Sequence, residues 1–386
     1  MPVPPASSEP PERAPVAPWA AWVDGELDGL RAAGRWRVHR ELDARGPTGT
    51  LDGRPVVTFA SNDYLGLSAH PAVAAAAAEA AARWGAGATA SRLVVGHRPV
   101  HAALEVELAA WKGTERAIVM PTGYQANVGL LSTLATRDVT VLSDELNHAS
   151  IIDGLRLGRA EVRVYRHGDL DHLDALLAEA SGRRTMVVTD SVFSMDGDVA
   201  PLDALVDRCA RTGALLVLDE AHAVLGPELG PTDDVEVLRV GTLSKALGAL
   251  GGFVAGPARY VELLRNRARS HIFSTGLSPT DAAAALAALG VLRSPEGDAL
   301  VARLRMLVDR VRPGHPSPIL PVVIGEEEAT MKAAAALLER GLLVPGIRPP
   351  TVPPGTSRLR VTLSAAHTDA QVEALLAALT DLGVAW

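Results

Sequence analysis

Seven short apolar runs, set apart by segments with helical spacing, constrain the fold of this chain more than any other feature. They are Ala117–Met120, Val139–Leu142, Val162–Tyr165, Met186–Thr189, Leu215–Leu218, Val237–Val240 and Phe253–Ala255. Between several of them lie amphipathic stretches; in His101 to Trp111, for example, Leu104, Leu108 and Trp111 share one helix face. Strands that are apolar throughout and alternate with helices mean a mostly parallel sheet covered on both faces. The pattern therefore predicts an α/β domain with a mixed, mostly parallel seven-stranded sheet.

After about Leu277 the texture changes. Helical segments lead to an expected strand at Ile319–Ile324, a helix at Ala329–Arg340, and strands near Leu342–Val344 and Arg358–Leu363. A last helix opens on Thr368-Asp-Ala-Gln371, the pattern of a capping box. We expect a disordered extension over residues 1–18, an N-terminal segment over 19–58, a large domain over 59–276 and a smaller C-terminal α/β domain over 277–386. A chain of 386 residues is long enough for this division, and no internal repeat competes with it. The expectation for 1–18 rests on Pro, Ala, Ser and Glu, a composition that buries too little surface to offset its ordering entropy.

Charge and cysteine narrow the class of function. A formal net charge of −8 argues against nucleic acid, which requires a basic face. The single cysteine, Cys209, permits no intramolecular disulfide and suits a reducing cytoplasm. It also leaves no multi-cysteine zinc pattern, and no metal site is expected. No apolar run is long enough for a membrane span.

Ligands of an open α/β sheet sit outside the carboxyl ends of its strands. Polar residues follow four of the runs there: Thr122-Gly123-Tyr124, Asp190 to Asp198, Asp219-Glu-Ala-His222 and Thr242-Leu-Ser-Lys245. The chain has only three lysines, Lys112, Lys245 and Lys332. Lys112 ends a surface-type helix and Lys332 sits in a charged one, so both read as solvated charges. Lys245 stands at a strand end among Gly241, Thr242, Ser244 and Gly248. A lysine amine so placed can lose its proton and attack a carbonyl, the chemistry of a Schiff base with pyridoxal 5′-phosphate (PLP). Asp219 can pair with a protonated pyridine nitrogen, and His222 can reach the ring oxygen. Gly123 and Tyr124 open a helix whose free N–H groups attract phosphate, with Thr242 adding a hydroxyl. His148, at another strand-to-helix turn, has a flat ring able to stack on a pyridine.

Two other motifs fail on context. Asp219-Glu-Ala-His222 spells a helicase box, but no lysine sits in the G-x-x-x-x-G-K-[S/T] loop that reading requires. Gly85-Ala-Gly-Ala-Thr-Ala90 resembles a dinucleotide fingerprint, yet it follows a helix rather than a strand.

Taken in order, these motifs resemble the α-oxoamine synthase family of fold-type I (aminotransferase-like) PLP enzymes, from about Leu30 to Leu382. The resemblance is carried by Phe59-Ala-Ser-Asn-Asp-Tyr-Leu-Gly-Leu67, Leu146-Asn-His-Ala-Ser150, Ser191-Val-Phe-Ser-Met-Asp-Gly-Asp198, Asp219-Glu-Ala-His222, Thr242-Leu-Ser-Lys245 and Ile347-Arg-Pro-Pro-Thr-Val-Pro-Pro-Gly-Thr356. It implies an acyltransferase that condenses an amino acid with an acyl thioester and releases carbon dioxide. The Arg348-Pro-Pro-Thr-Val-Pro form resembles the members that join L-alanine to pimeloyl-CoA or pimeloyl-acyl carrier protein in biotin synthesis, giving 8-amino-7-oxononanoate. Members using glycine or serine with another acyl-CoA are the alternative.

Carried over by position, the resemblance makes Lys245 the cofactor anchor and gives catalytic tasks to Lys245, His148, Asp219 and His222. It puts Ser194 near the ring oxygen and Gly123, Tyr124 and Thr242 on the phosphate. Arg348 resembles the residue that binds the amino-acid carboxylate, with Thr351, Asn62 and His148 nearby, and Arg37 matches the contact to the far carboxylate of the acyl chain. Ser274-Thr275 resembles a segment that reaches a phosphate across a homodimer. Two departures stand out. Ala223-Val-Leu-Gly-Pro-Glu-Leu-Gly-Pro231 replaces the glycine-rich run usual after Asp-Glu-Ala-His, and Asp190 stands where many members carry Glu.

Overall fold

The structure is a computed structural model that describes residues 18–230, 232 and 234–384. The expected extension over 1–18 lies, except for Pro18, outside the described residues. The helix Pro18–Ala32 comes first and buries none of its residues. Strands β1 (Leu42–Arg45), β2 (Thr48–Leu51) and β3 (Arg54–Thr58) follow as an antiparallel meander. The sequence reading gave this stretch as an N-terminal segment and named no strand in it. Asp52-Gly53, both at positive φ, makes the second turn, and an Asp-Gly pair is a strong local hairpin signal that was passed over.

The central sheet contains β4 (Arg116–Met120), β5 (Val139–Asp144), β6 (Glu161–Tyr165), β7 (Arg184–Asp190), β8 (Leu215–Asp219), β9 (Val237–Thr242) and β10 (Gly252–Gly256). Each of the seven apolar runs lies inside one of these strands. Their order is β4-β10-β9-β8-β7-β5-β6, and β10 runs antiparallel to both its neighbours while the other pairs are parallel. Alternate residues explain the continuous apolar runs. Val141, Val188, Val217 and Val240 enter a core on one face of the sheet, and Leu142, Val187, Leu216 and Leu218 enter one on the other. A side chain so buried stabilises the fold by roughly 1.5–3 kcal/mol, which a half-exposed strand would forgo on one side.

Strands β11 (Ile319–Gly325), β13 (Gly346–Ile347) and β14 (Ser357–Thr362) form a second, antiparallel sheet with β14 in the middle. The short β12 (Leu342–Leu343) instead adds in parallel to β3, tying the N-terminal meander to this part of the chain. The helix Asp369–Asp381 opens with the expected capping box between Thr368 and Gln371. One apolar cluster takes in Phe59, Leu104, Phe253, Leu289, Leu359, Val361 and Leu379, so residues from both ends of the chain share a core. Among the described residues no helix is long and apolar enough to cross a membrane.

The sequence reading of Lys112 needs correction. It ends the helix Pro99–Lys112, but its side chain is only 10% exposed and its amine lies 2.7 Å from Glu220. Arg239 on β9 holds the other oxygen of Glu220 at 2.6 Å and also donates to the Lys112 carbonyl at 2.9 Å. The Lys112 amine stands 3.8 Å over the Trp111 ring. Lys112 is therefore part of a buried ion cluster beneath the Asp219–His222 turn. Lys332 is exposed as expected and pairs with Glu328 one helical turn away.

Candidate active site

The carboxyl ends of β4, β7, β8 and β9 deliver their polar residues to one edge of the sheet. Antiparallel β10 begins at the same edge, with Gly252 opposite both Met120 and Thr242. The helix Gly123–Leu134 starts directly after β4, capped by the Thr122 hydroxyl on the Gln125 N–H. This cap leaves the N–H groups of Gly123 and Tyr124, at the first two helical positions, without a backbone partner. A Cβ on Gly252 would lie 2.4 Å from the Gly123 nitrogen, and one on Gly123 would lie 3.2 Å from the Thr242 Cβ. Glycine at both places lets strand, helix start and Thr242 close around a small anion-binding cradle. Ser244, whose hydroxyl is 2.7 Å from that of Thr242, borders the same cradle.

Lys245 comes in from the turn after β9, and its amine lies 2.8 Å from Nε2 of His222. The His222 Nδ1 meets the Tyr64 hydroxyl at 2.5 Å, and that hydroxyl is 3.2 Å from the Asn62 side-chain oxygen. Burial pushes the Lys245 amine below the ordinary lysine range, against the opposing pull of Asp219 and Asp190. Burial also pushes His222 well below its usual value, and the Lys245 charge adds to the effect. Asp219 and Asp190 face each other across β8 and β7. Burial, and after it the Asp219 charge, raises the Asp190 carboxyl well above the usual carboxylate range. Asp190 also accepts the His148 N–H at 2.8 Å, which seats that turn.

Arg360 is the site residue that the sequence reading missed. It is 6% exposed and donates to the Ser194 carbonyl at 2.6 Å, to the Asn62 oxygen at 3.2 Å and to the Thr362 hydroxyl at 3.0 Å. All three acceptors are neutral, and no carboxylate pairs with it among the described residues. Arg358, two residues earlier on the same strand face, pairs with Asp196 in the Ser191–Asp198 loop. His167 holds the same loop through Asp198 at 2.7 Å while bonding Asp144 at 3.0 Å.

The structure thus brings together Lys245, His222, Asp219, His148, Asn62 and Ser194, and sets Gly123 against Thr242. The Tyr124 hydroxyl turns aside to Asp153 at 2.5 Å. Arg37 is exposed, and among the described residues no hydrogen bond or ion pair joins it to the site; Thr351 is also exposed, and its N–H meets the carbonyl of half-buried Arg348 at 3.1 Å. Ser274 accepts from Gln125 of its own chain at 3.3 Å, close to the cradle.

The donor set suits PLP: an amine in a dry pocket, a buried carboxylate beside it, and free N–H groups within a glycine-lined cradle. The sequence profile of aminotransferase class I and II matches residues 54–379. The 8-amino-7-oxononanoate synthase of Anaeromyxobacter dehalogenans is 52% identical over 380 residues, covering 93% of this chain and 94% of that protein. The chain belongs to the α-oxoamine synthases, within the class I and II aminotransferase family. Serine palmitoyltransferase of Sphingomonas wittichii superposes with a TM-score of 0.88 at 33% identity, covering 96% of this chain and 98% of that one. A high-resolution structure of SPT with a PLP internal aldimine matches at a TM-score of 0.85 and 32% identity, covering 94% of this chain and 98% of that one. As an α-oxoamine synthase the chain is a PLP-dependent acyltransferase.

Proposed function

We propose that the site condenses L-alanine with a pimeloyl thioester, releasing carbon dioxide and free thiol and forming 8-amino-7-oxononanoate for biotin synthesis. The observation that carries this reading is the Lys245 amine, held beside His222 in a pocket that disfavours its charge, within the Thr242-Leu-Ser-Lys245 motif on which the family resemblance rests. Identity of 52% to a synthase named for that product, against 33% to the serine-using relative, supports alanine and the pimeloyl chain.

Bound here, PLP supplies the carbonyl that captures the amino group and an electron-poor ring that accepts the electron pair released at Cα. Gly123 and Tyr124 present N–H groups to its phosphate, and the Thr242 hydroxyl stands beside them. Asp219 would accept from the pyridine nitrogen and favour its protonated form. His148 would offer its ring face for stacking, and His222 and Ser194 would serve the ring oxygen. Lys245 anchors the cofactor and, as a free amine, takes the proton from Cα, a task suited to a lysine whose charge burial opposes. Arg360, a buried cation with only neutral partners, binds the amino-acid carboxylate. Arg348, with Thr351, flanks the same substrate. Arg37 meets the far carboxylate of the acyl chain, whose carrier is coenzyme A or acyl carrier protein.

The working unit is a cytoplasmic homodimer. Support comes from the exposed run Leu93-Val94-Val95 and from Phe273, 70% exposed beside Ser274, apolar surface that a second copy would cover. Cα-proton exchange into deuterated water separates the substrate readings. Alanine should exchange with the PLP-loaded protein; inert alanine beside active glycine or serine would overturn the assignment.

A further inference from the structure

Asp219 and His148 are joined by a chain of hydrogen bonds in which every donor is determined. One Asp219 oxygen accepts the Ala221 N–H at 2.9 Å and the other accepts from the Asn127 side-chain nitrogen at 2.6 Å. A carboxylate can only accept, so the Asn127 amide must turn its NH2 group towards it. The second hydrogen of that group goes to the Ser150 hydroxyl oxygen at 2.9 Å. The Ser150 hydroxyl lies 2.7 Å from Nδ1 of His148. The Ser150 backbone N–H, which can only donate, points at the same Nδ1 at 3.2 Å as the cap of the helix Ala149–Gly158. Nδ1 therefore accepts and carries no hydrogen, and the hydroxyl gives its own proton to it. Asn127 and Ser150 are each 1% exposed, so water does not compete for these groups.

We propose that Asn127 and Ser150 are positioning residues that transmit the orientation imposed by Asp219 to His148 and hold its ring in the neutral Nε2–H form. Nε2 has no protein partner among the described residues, so His148 presents a hydrogen-bond donor to the site. The ring then has no free nitrogen with which to accept the Cα proton, leaving Lys245 as the base. That last step rests on the proposed function; the tautomer rests on the bonds alone.

The test is nitrogen-15 NMR of histidine-labelled, cofactor-free protein near neutral pH, with the His148 signals assigned by their loss in His148→Asn. The wild type should show an unprotonated Nδ1 and a protonated Nε2. Ser150→Ala leaves only the longer bond from the backbone N–H and should raise the Nδ1–H population, and Ser150→Thr, which keeps the hydroxyl, should restore the single form. Asp219→Asn removes the constraint on the Asn127 amide and should populate the Nδ1–H form. The signals of the remaining histidines report whether each variant has folded. A wild-type Nδ1–H or doubly protonated ring would overturn the proposal, as would a folded Ser150→Ala protein with an unchanged pattern. Neither outcome would touch the assignment of substrates.

Discussion

The Lys245 amine and the His222 ring meet at 2.8 Å, and enclosure drives both towards their uncharged forms. An exposed lysine gains nothing from losing its proton near neutrality; this one escapes the cost of burying a charge. Uptake of PLP by the cofactor-free protein, followed as visible absorption against pH, should therefore rise with a midpoint below the ordinary lysine value of 10.5. A midpoint at or above it would remove the electrostatic basis of the site.

Lys112, Glu220 and Arg239 form the buried support of the Asp219–His222 turn. Glu220 is the one anion between these two buried cations, so removing its charge leaves both unpaired, at a cost of about 3–5 kcal/mol. Glu220→Gln should lower unfolding stability by that amount in denaturant titrations. A loss under about 1 kcal/mol, the range of exposed pairs, would show that the cluster is solvated.

His167 is raised to about 10 by its bond to Asp144 and then by that to Asp198. A histidine raised on folding contributes stability fully below its unfolded value near 6.5, and loses the contribution as pH climbs towards the folded one. The stability difference between wild type and His167→Gln should accordingly shrink between those two values and vanish above the higher. A difference constant across that window would mean that His167 acts without its charge.

Arg360 is assigned the substrate carboxylate because its partners carry no negative charge. Arg360→Lys keeps the charge but loses the planar fork. The KM for alanine should rise about a hundredfold, equivalent to ~2.7 kcal/mol and within the range for a disrupted buried charge pair. An unchanged KM would hand the carboxylate to Arg348 alone.

Much of this was legible in the sequence for a physical reason. Strands buried on both faces must be apolar at successive positions, so Val139–Leu142 and Leu215–Leu218 announce themselves locally, and topology alone sends their carboxyl ends to one edge. Arg360 stayed hidden because Arg358, Arg360 and Thr362 form the polar face of an alternating strand, a pattern that normally means solvent; here that face meets the Ser191–Asp198 loop. Lys112 was misjudged for a similar reason. Its burial depends on Glu220 and Arg239, more than a hundred residues away. Non-local partners decide the burial of charges, and one-dimensional spacing does not reveal them.

Borohydride reduction of the PLP-loaded protein, followed by peptide mapping, tests the central claim most directly. Reduction locks the cofactor onto the amine that holds it, and the chain offers only Lys112, Lys245, Lys332 and its N-terminus. The pyridoxyl mark should fall on the peptide containing Lys245 and disappear in Lys245→Ala. A mark on buried Lys112 or exposed Lys332, or a Lys245→Ala protein that still carries a stoichiometric mark, would contradict the account.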